Sequence, residues 1–292
     1  MSTFGVVVVI YSQSDEEIAR ALDQVDSLRP APTLVVLVSN SPGRALDPFS
    51  SRARILDMGG NAGFCAGANR GLLELVREGL DAGLLMDTDV HHLEGRASRE
   101  LLDVLESRPD AAAVSGLISL WPDTSTLWYG GGRIERPWWV TRHPGLGGEV
   151  REDGALRRTD YFSGCLVMLR LSAVIEVGGF DENLFMYYDE ADLSTRLALR
   201  GWGSYVLARR LVAHEKPGRR LNVTEAYYHA RNSRILGRRY ERGARQWMAR
   251  LGAYLLFVLQ VSRCESPAAR RAYWRGLREP VSGLVEARTL KA

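Results

Sequence analysis

Five carboxylates and one histidine in this chain carry the types and spacing that could do chemistry. The stretch Met186-Tyr-Tyr-Asp-Glu-Ala-Asp-Leu193 sets Asp189, Glu190 and Asp192 at the start of an expected helix, followed by Arg196, Gly201 and then His214. Far upstream, Leu84-Leu-Met-Asp-Thr-Asp-Val90 reads as a buried strand that runs straight into Asp87 and Asp89. Acids held at a core strand end are costly to bury unless a cation compensates them. Hard divalent ions such as Mg2+ or Mn2+ take oxygen ligands and often keep diphosphate oxygens in their shell. The set therefore suggests a metal site beside a general base. Asp-x-Asp alone is a weak pattern and mostly marks solvated loop acids; its place directly after a core strand gives it weight.

Simple charge capping is the bland alternative for Asp189, Glu190 and Asp192, because a helix N-terminus favours negative charge. Asp192 and Arg196, however, form an i,i+4 pair, whereas Glu190 shares a side with Leu193 and Leu197. That spacing turns Glu190 inward, which capping does not require. His214 ends an apolar stretch, and a lone histidine is more often structural than a ligand. Only its combination with the acids shifts the balance.

Gly59-Gly-Asn-Ala-Gly-Phe-Cys-Ala-Gly-Ala-Asn-Arg-Gly71 is a Gly/Asn-rich turn opening a helix. Glycines allow close backbone approach, and helix N-terminal amides suit phosphate. The segment fits neither the dinucleotide fingerprint nor the Gly-Lys-Ser/Thr of a P-loop, so dehydrogenase and P-loop chemistry are unsupported. Trp138 and Trp139, adjacent in a polar loop, would expose apolar rings suited to stacking on a sugar or apolar acceptor.

These residues need a scaffold. The β-branched runs 5–10 and 33–38 read as parallel strands buried on both faces. Between them Ser14-Asp-Glu-Glu17 gives a capping box. A short strand at 55–58, a helix over 66–78, a strand at 84–86, a helix over 96–108 and a strand at 112–118 follow. Residues 121–153 read as a long loop or irregular hairpin, 161–169 as strand, and 223 onward as arginine-rich helices. The alternation predicts a doubly wound α/β sheet with ligands at the carboxyl ends of its strands. Two units are expected, a catalytic body over 1–222 and a basic helical extension over 223–292.

The 292 residues are 46% apolar, enough for a large core, so disorder is excluded. Met1 leads directly into the first strand with no signal peptide visible. Cys65, Cys165 and Cys264 are odd in number and far apart, which points to reduced cytoplasmic thiols rather than a disulfide or zinc framework. The net charge of +3 hides an asymmetry, because 17 Lys/Arg against 6 Asp/Glu from Glu215 onward leave +11 there and −8 before it. A basic tail of that kind suits an anionic surface. Only two of the 38 basic residues are lysine (Lys216 and Lys291), a bias that hints at a GC-rich bacterial genome. The apolar run 251–261 is far short of the roughly 20 residues a bilayer span takes. It could lie in a membrane interface or pack on the domain.

In this order the segments resemble family 2 glycosyltransferases of the GT-A fold, especially rhamnosyltransferase-like and galactofuranosyltransferase-like members. The likeness runs from Val6 to about Asn232 and rests on Gly60-Asn61-Ala62-Gly63 with Gly67 and Asn69, Asp87-Thr-Asp89, Phe162-Ser-Gly164, and Val177-Gly-Gly-Phe-Asp-Glu182. It continues through Asp189-Glu-Ala-Asp-Leu193, Arg196, Gly201, His214, Tyr227-Tyr228 and Arg231-Asn232. The resemblance implies a GT-A-type doubly wound mixed sheet with a C-terminal helical extension. It further implies an inverting, metal-dependent transfer of a sugar from a nucleoside diphosphate to a hydroxyl acceptor. Asp87, Asp89 and His214 would surround Mn2+ or Mg2+, with Glu190 at the base position beside Asp189. The donor would meet Tyr11, Ser39, Asn40, Gly60, Asn61, Gly63, Gly67, Asn69 and Asp87. The acceptor would meet Trp138, Trp139, Gly164, Asp189 and Asp192.

Two departures stand out. Ser39-Asn40 replaces the family's usual Asp-Asn, and Tyr11-Ser12 its Tyr-Asn, so the nucleobase stays open between a dTDP- and a UDP-sugar. An inactive sugar-nucleotide or glycan-binding module and a sugar nucleotidyltransferase are the competing readings. Intact acids speak against the first. The second lacks a basic Gly-rich loop, since Tyr11-Ser-Gln-Ser-Asp15 supplies none. No nucleic-acid partner is expected. The chain is expected in the cytoplasm, with peripheral contact at the inner membrane face, and its oligomeric state is open.

Overall fold

The computed structural model describes residues 2–215 and 220–288; Lys216, Lys291 and the rest of the extension's last four positions lie outside them. The elements run β1 (Phe4–Ile10), α1 (Asp15–Asp26), β2 (Leu34–Ser39), β3 (Arg54–Asp57), α2 (Phe64–Arg77), β4 (Ala82–Met86), β5 (Val90–His91) and α3 (Ala97–Ser107). Then come β6 (Ala111–Trp121), β7 (Leu127–Tyr129), β8 (Arg133–Glu135), β9 (Val140–Arg142), β10 (Leu156–Thr159), β11 (Leu166–Arg170) and α4 (Leu171–Glu176). The chain continues through α5 (Asp189–Leu199), β12 (Gly203–Glu215), α6 (Val223–Tyr240), α7 (Gly243–Gln260) and α8 (Pro267–Arg278).

Ten strands form one mixed sheet in the order β10-β12-β6-β11-β4-β1-β2-β3, with β5 on β12 and β7 on β6. The half β3-β2-β1-β4 is parallel, and β11 runs antiparallel between β4 and β6. β1 is buried on both faces, which its Val-rich sequence suits. α1 starts with the capping box the sequence promised, Ser14 and Glu17 each accepting the other's backbone N–H. α2 lies so close to the sheet that a Cβ on Gly71 would sit 2.3 Å from Val7 and one on Gly67 2.8 Å from Val9. Those glycines serve helix–strand packing.

Of the two forms expected for 121–153, a long loop or an irregular hairpin, the structure takes the second. β6 continues to Trp121, β7 pairs back on it, and β8 and β9 make a separate two-stranded sheet. Strands of three residues are too short to show a period, so sequence pattern misses them. In the stretch expected as strand over 161–169, Tyr161 makes a single bridge to Gly132 and the continuous strand begins at Leu166.

The tryptophan pair is a correction. Trp139 is fully buried; its Nε1–H donates to Glu241 at 3.2 Å and its ring stacks on Tyr240 at 5.0 Å. Trp138 is half-buried against α7, where a Cβ on Gly252 would meet its ring at 2.3 Å. Their covering partners lie a hundred or so residues downstream, so local polarity could not reveal them. Neither tryptophan lines either of the two large cavities that hold Asp87 and Asp89.

α6, N-capped by Asn222, joins body and extension. Ile235 and Leu236 sit in the main core, while Ala226 and Ala230 pack with Ala253, Ala269, Tyr273 and Leu277 of α7 and α8. Among the described residues no helix is long and apolar enough to cross a membrane.

Candidate functional site

Two adjoining cavities of about 760 and 740 Å3 open at the carboxyl ends of β1, β2 and β4. Asp87, Asp89, Met186 and Tyr187 form their common wall. One is further lined by Glu190, Asp189, Gly164 and His214, the other by Tyr11, Asn40, Asn61 and Gly63.

The antiparallel register of β4 with β11 brings Asp87 beside Cys165, and β12 pairs through β5 to bring His214 to Asp89. His214 Nε2 lies 3.2 Å from Asp89 Oδ2, and Nδ1 lies 2.6 Å from the Glu215 carbonyl. A carbonyl only accepts, so Nδ1 carries the proton there and Nε2 is the atom turned to the acids. Trp128 stacks flat on the imidazole at 4.4 Å and fixes its plane.

Burial, and then the charge of Asp89, push the Asp87 carboxyl up to about 8. Burial also works to raise Asp89, but the hydrogen bond and charge of His214 outweigh it and hold that carboxyl below its ordinary value. For His214 burial works downward and is outweighed by Asp89 and then Asp87, so its net shift is up. A proton on His214 or a bound cation would each compensate the acids. Ligation needs the neutral ring, so the two compete.

The residues present fit a divalent ion. Asp89 Oδ1 is buried with no hydrogen-bond partner among the described residues, and two hard carboxylates with one borderline imidazole make a mixed oxygen–nitrogen donor set. Asp87, Cys165 and His214 offer ligand atoms all within 4.8 Å of one another. Burial, then Asp87 and Asp89, push the Cys165 thiol well above its ordinary range, so it stays protonated and is a poor ligand for such an ion. Sequence spacing alone did not single out Cys165; the β4–β11 register places it.

Glu190 begins α5 half-buried, and its Oε1 accepts from the Gly164 N–H at 3.3 Å. A Cβ on Gly164 would lie 3.1 Å from that oxygen, so this glycine leaves room for the acid. Burial raises the Glu190 carboxyl. Asp189 is buried, one of its oxygens has no partner among the described residues, and burial followed by Glu190 raises it well above the usual range.

The lead-in to α5 holds Phe185, Tyr187 and Tyr188 in the left-handed region, at φ 67, 63 and 64°. Such backbone persists only where its surroundings over-determine it. Asn232 of α6 supplies that, its Nδ2 donating to the carbonyls of Leu184, Met186 and Tyr187 at 3.0, 2.8 and 2.8 Å.

Asp192 is a correction. It is fully buried but faces the interior behind α5, where it accepts from Arg196 at 2.8 Å, Arg239 at 2.5 Å and Tyr240 at 2.7 Å. It does not line the acceptor cavity. The i,i+4 spacing foretold Arg196; Arg239 and Tyr240 come from α6.

Four donor-site expectations are corrected likewise. Ser39 turns its hydroxyl to the Ser41 carbonyl. Asn69 clips α2 to Phe180, donating to its carbonyl at 2.9 Å and accepting from its N–H at 2.8 Å. Gly67 packs on Val9, and Gly60 lies off the cavity wall. Asn40 reaches the wall, yet its amide is spent on the 62–63 backbone. At the start of α2 the N–H groups of Ala62, Gly63 and Cys65 are all taken by protein acceptors, so it offers little of a phosphate cradle. Gly63, at φ 88°, has no room for a Cβ because Phe185 would be 2.5 Å away. Residues the sequence did not single out for the donor side include Arg275 of α8, whose guanidinium sits 4.7 Å over the Tyr227 ring on the same wall.

No family model matches the chain. It is 29% identical over 235 residues to the N-acetylglucosaminyl-diphospho-decaprenol L-rhamnosyltransferase of two Mycobacterium tuberculosis strains, covering 72% of this chain and 75% of that protein. In three dimensions it is similar to GalNAc-T7, crystallised with UDP, GalNAc and Mn2+, at a TM-score of 0.62 and 14% identity. That superposition covers 74% of this chain and 44% of the other, so the chain spans less than half of GalNAc-T7's length.

Proposed function

We propose that the chain, 29% identical to a rhamnosyltransferase and similar in fold to a GT-A glycosyltransferase, is a rhamnosyltransferase-like glycosyltransferase whose metal-dependent transfer proceeds with inversion and with Glu190 as the general base. The observation that carries this reading is one cavity wall. Glu190, held by the Gly164 amide, shares it with Asp87, Asp89 and His214, where a buried Asp89 oxygen lacks any partner among the described residues.

Glu190 takes the proton from an acceptor hydroxyl as that oxygen attacks the anomeric carbon from the face opposite the leaving group. Its raised carboxyl brings it closer to neutral pH, where a base transfers protons best. Asp87, Asp89 and His214 would hold Mn2+ or Mg2+. When bound, the cation neutralises charge growing on the departing diphosphate. Asp189 supports the acceptor side, and Asn232 keeps the Tyr187–Tyr188 backbone in the shape that aims Glu190. Tyr11, Asn61 and Arg275 would face the nucleotide.

The rhamnosyltransferase relative acts on a lipid-linked diphosphate saccharide by its name. A dTDP-deoxyhexose donor and a saccharide or glycolipid hydroxyl acceptor are therefore the working pair, with a UDP-sugar next. A thermal-shift panel of dTDP, UDP and GDP with and without Mn2+ tests the donor side. One diphosphate at a hundredfold excess over its Kd should stabilise the fold by about 2.7 kcal/mol, and only with the cation. No response to any diphosphate in either condition would contradict the reading.

A further inference from the structure

α7 divides its apolar residues between two faces. Its small residues Ala249, Gly252 and Ala253 face the protein together with half-buried Tyr254 and Phe257, while Trp247, Leu251, Leu255 and Val258 stand in solvent at 69, 59, 56 and 67% exposure. A surface helix ordinarily buries its large apolar side chains on one face and turns polar ones outward. These four positions, with exposed Met248, fall on one stripe, and Trp274 of α8 is exposed as well. Single exposed apolar residues need no explanation, but a contiguous stripe marks an interaction surface.

Charge says what kind. α7 contains no Asp or Glu. A cavity of about 300 Å3 opens beside Trp247, lined by Arg234, Arg238, Arg250 and Arg278 against a single carboxylate, Glu279. Arg234 is anchored, donating to the Gly276 and Glu279 carbonyls at 3.0 and 2.8 Å. Arg238, Arg250 and Arg278 are exposed and make no ion pair among the described residues. Arg250 and Arg278 rest over the rings of Trp247 and Trp274 at 5.5 and 5.9 Å, so cation and aromatic are presented together. A protein partner buries apolar area against apolar area and depletes charge at its centre. Apolar rings flanked by unpaired arginines suit a bilayer interface, where side chains enter the headgroup–acyl boundary and guanidinium groups take lipid phosphates.

We propose that the outward face of α7, with the arginine-lined cavity beside it, docks the protein on an anionic lipid bilayer. The surface is independent of the sugar-transfer reading, since none of its residues lines the catalytic cavities. Binding by apolar insertion plus charge attraction should weaken with salt and need anionic lipid.

Co-sedimentation of the full chain with phosphatidylcholine vesicles, with and without phosphatidylglycerol, tests it. The protein should pellet with the anionic vesicles at low salt, release at high salt and ignore the neutral ones. Leu251→Ser/Leu255→Ser should abolish pelleting. Arg238→Gln/Arg250→Gln/Arg278→Gln should cut the partition coefficient by roughly fivefold per arginine. Both variants change only exposed side chains and should keep the wild-type melting temperature, which separates lost docking from lost folding. Failure to bind anionic vesicles at low salt overturns the proposal, as does equal binding to neutral vesicles or wild-type binding by both variants. A vesicle-free dimer in sedimentation velocity that Leu251→Ser/Leu255→Ser dissolves would instead give this face to a second copy.

Discussion

Helix α5 carries two sets of acids within one turn, and they are treated oppositely. Asp192, with Asp181 from the preceding turn, is fully buried and fully answered: Arg239 bridges both at 2.5 and 2.6 Å, and Arg196 and Tyr240 complete Asp192. Asp189 and Glu190, on the cavity side, make no ion pair among the described residues; backbone N–H groups serve them, that of Gly164 lying 3.3 Å from Glu190, and one Asp189 oxygen has no partner among the described residues. Burial therefore raises both Asp189 and Glu190. A protein that can neutralise acids this thoroughly on one face leaves them strained on the other. Buried charge is kept unsatisfied where a ligand or a reaction will satisfy it. The first set is built as scaffold, and the second is the one the proposed reaction would use.

The same substitution on the two sets should have opposite signs. Asp192→Asn breaks a buried ion network and leaves Arg239 and Arg196 short of a partner, which should cost about 3–5 kcal/mol, read as the shift in urea midpoint. A change near zero would mean Asp192 is not scaffold. His214→Ala should weaken Mn2+-dependent nucleotide binding by at least about tenfold and also lower the ligand-free melting temperature, since it removes a buried ring stacked on Trp128. Wild-type Mn2+ affinity would make His214 a core histidine. Asp189→Asn, the smallest effect, should stabilise the ligand-free protein by about 1 kcal/mol. Its folded carboxyl is raised above the unfolded value of 3.8, so the folded state binds the extra proton and the wild type loses stability as pH rises through that window. The gain from Asn should then grow from mildly acid to neutral pH. A loss of stability, or a gain that shrinks with pH, would erase the contrast.

The division between the two sets was half legible in the sequence. Spacing against Leu193 and Leu197 predicts Glu190 inward, whereas it is half-buried on the cavity wall and Asp192 is the fully buried acid; the strand before Asp87 and Asp89 does deliver both acids to a carboxyl edge. Periodicity reports which face of an element is apolar, and strand ends mark where a sheet binds. What it does not report is which distant element covers a face. Asp192 looked available because Arg239 and Tyr240 arrive from α6. Trp138 and Trp139 looked exposed because α7 and Glu241 cover them. Asn69 and Gly67 read as part of a phosphate turn and Asn40 as a donor contact, yet their type is dictated by close packing of α2. Cys165 and Arg275 reach the cavities through strand register and the last helix. The outward stripe on α7 was visible only as an apolar run, since its direction depends on what its small residues pack against.

The central claim is that Glu190 is the base, and one paired measurement reaches it: transfer rate and nucleotide affinity of Glu190→Gln beside the wild type. Glutamine keeps the shape and can accept the Gly164 N–H, but takes no proton at neutral pH. Turnover should fall by roughly 10²–10⁴-fold while Mn2+-dependent nucleotide affinity stays near wild type. Turnover near that of the wild type, or a parallel collapse of nucleotide binding, would contradict it.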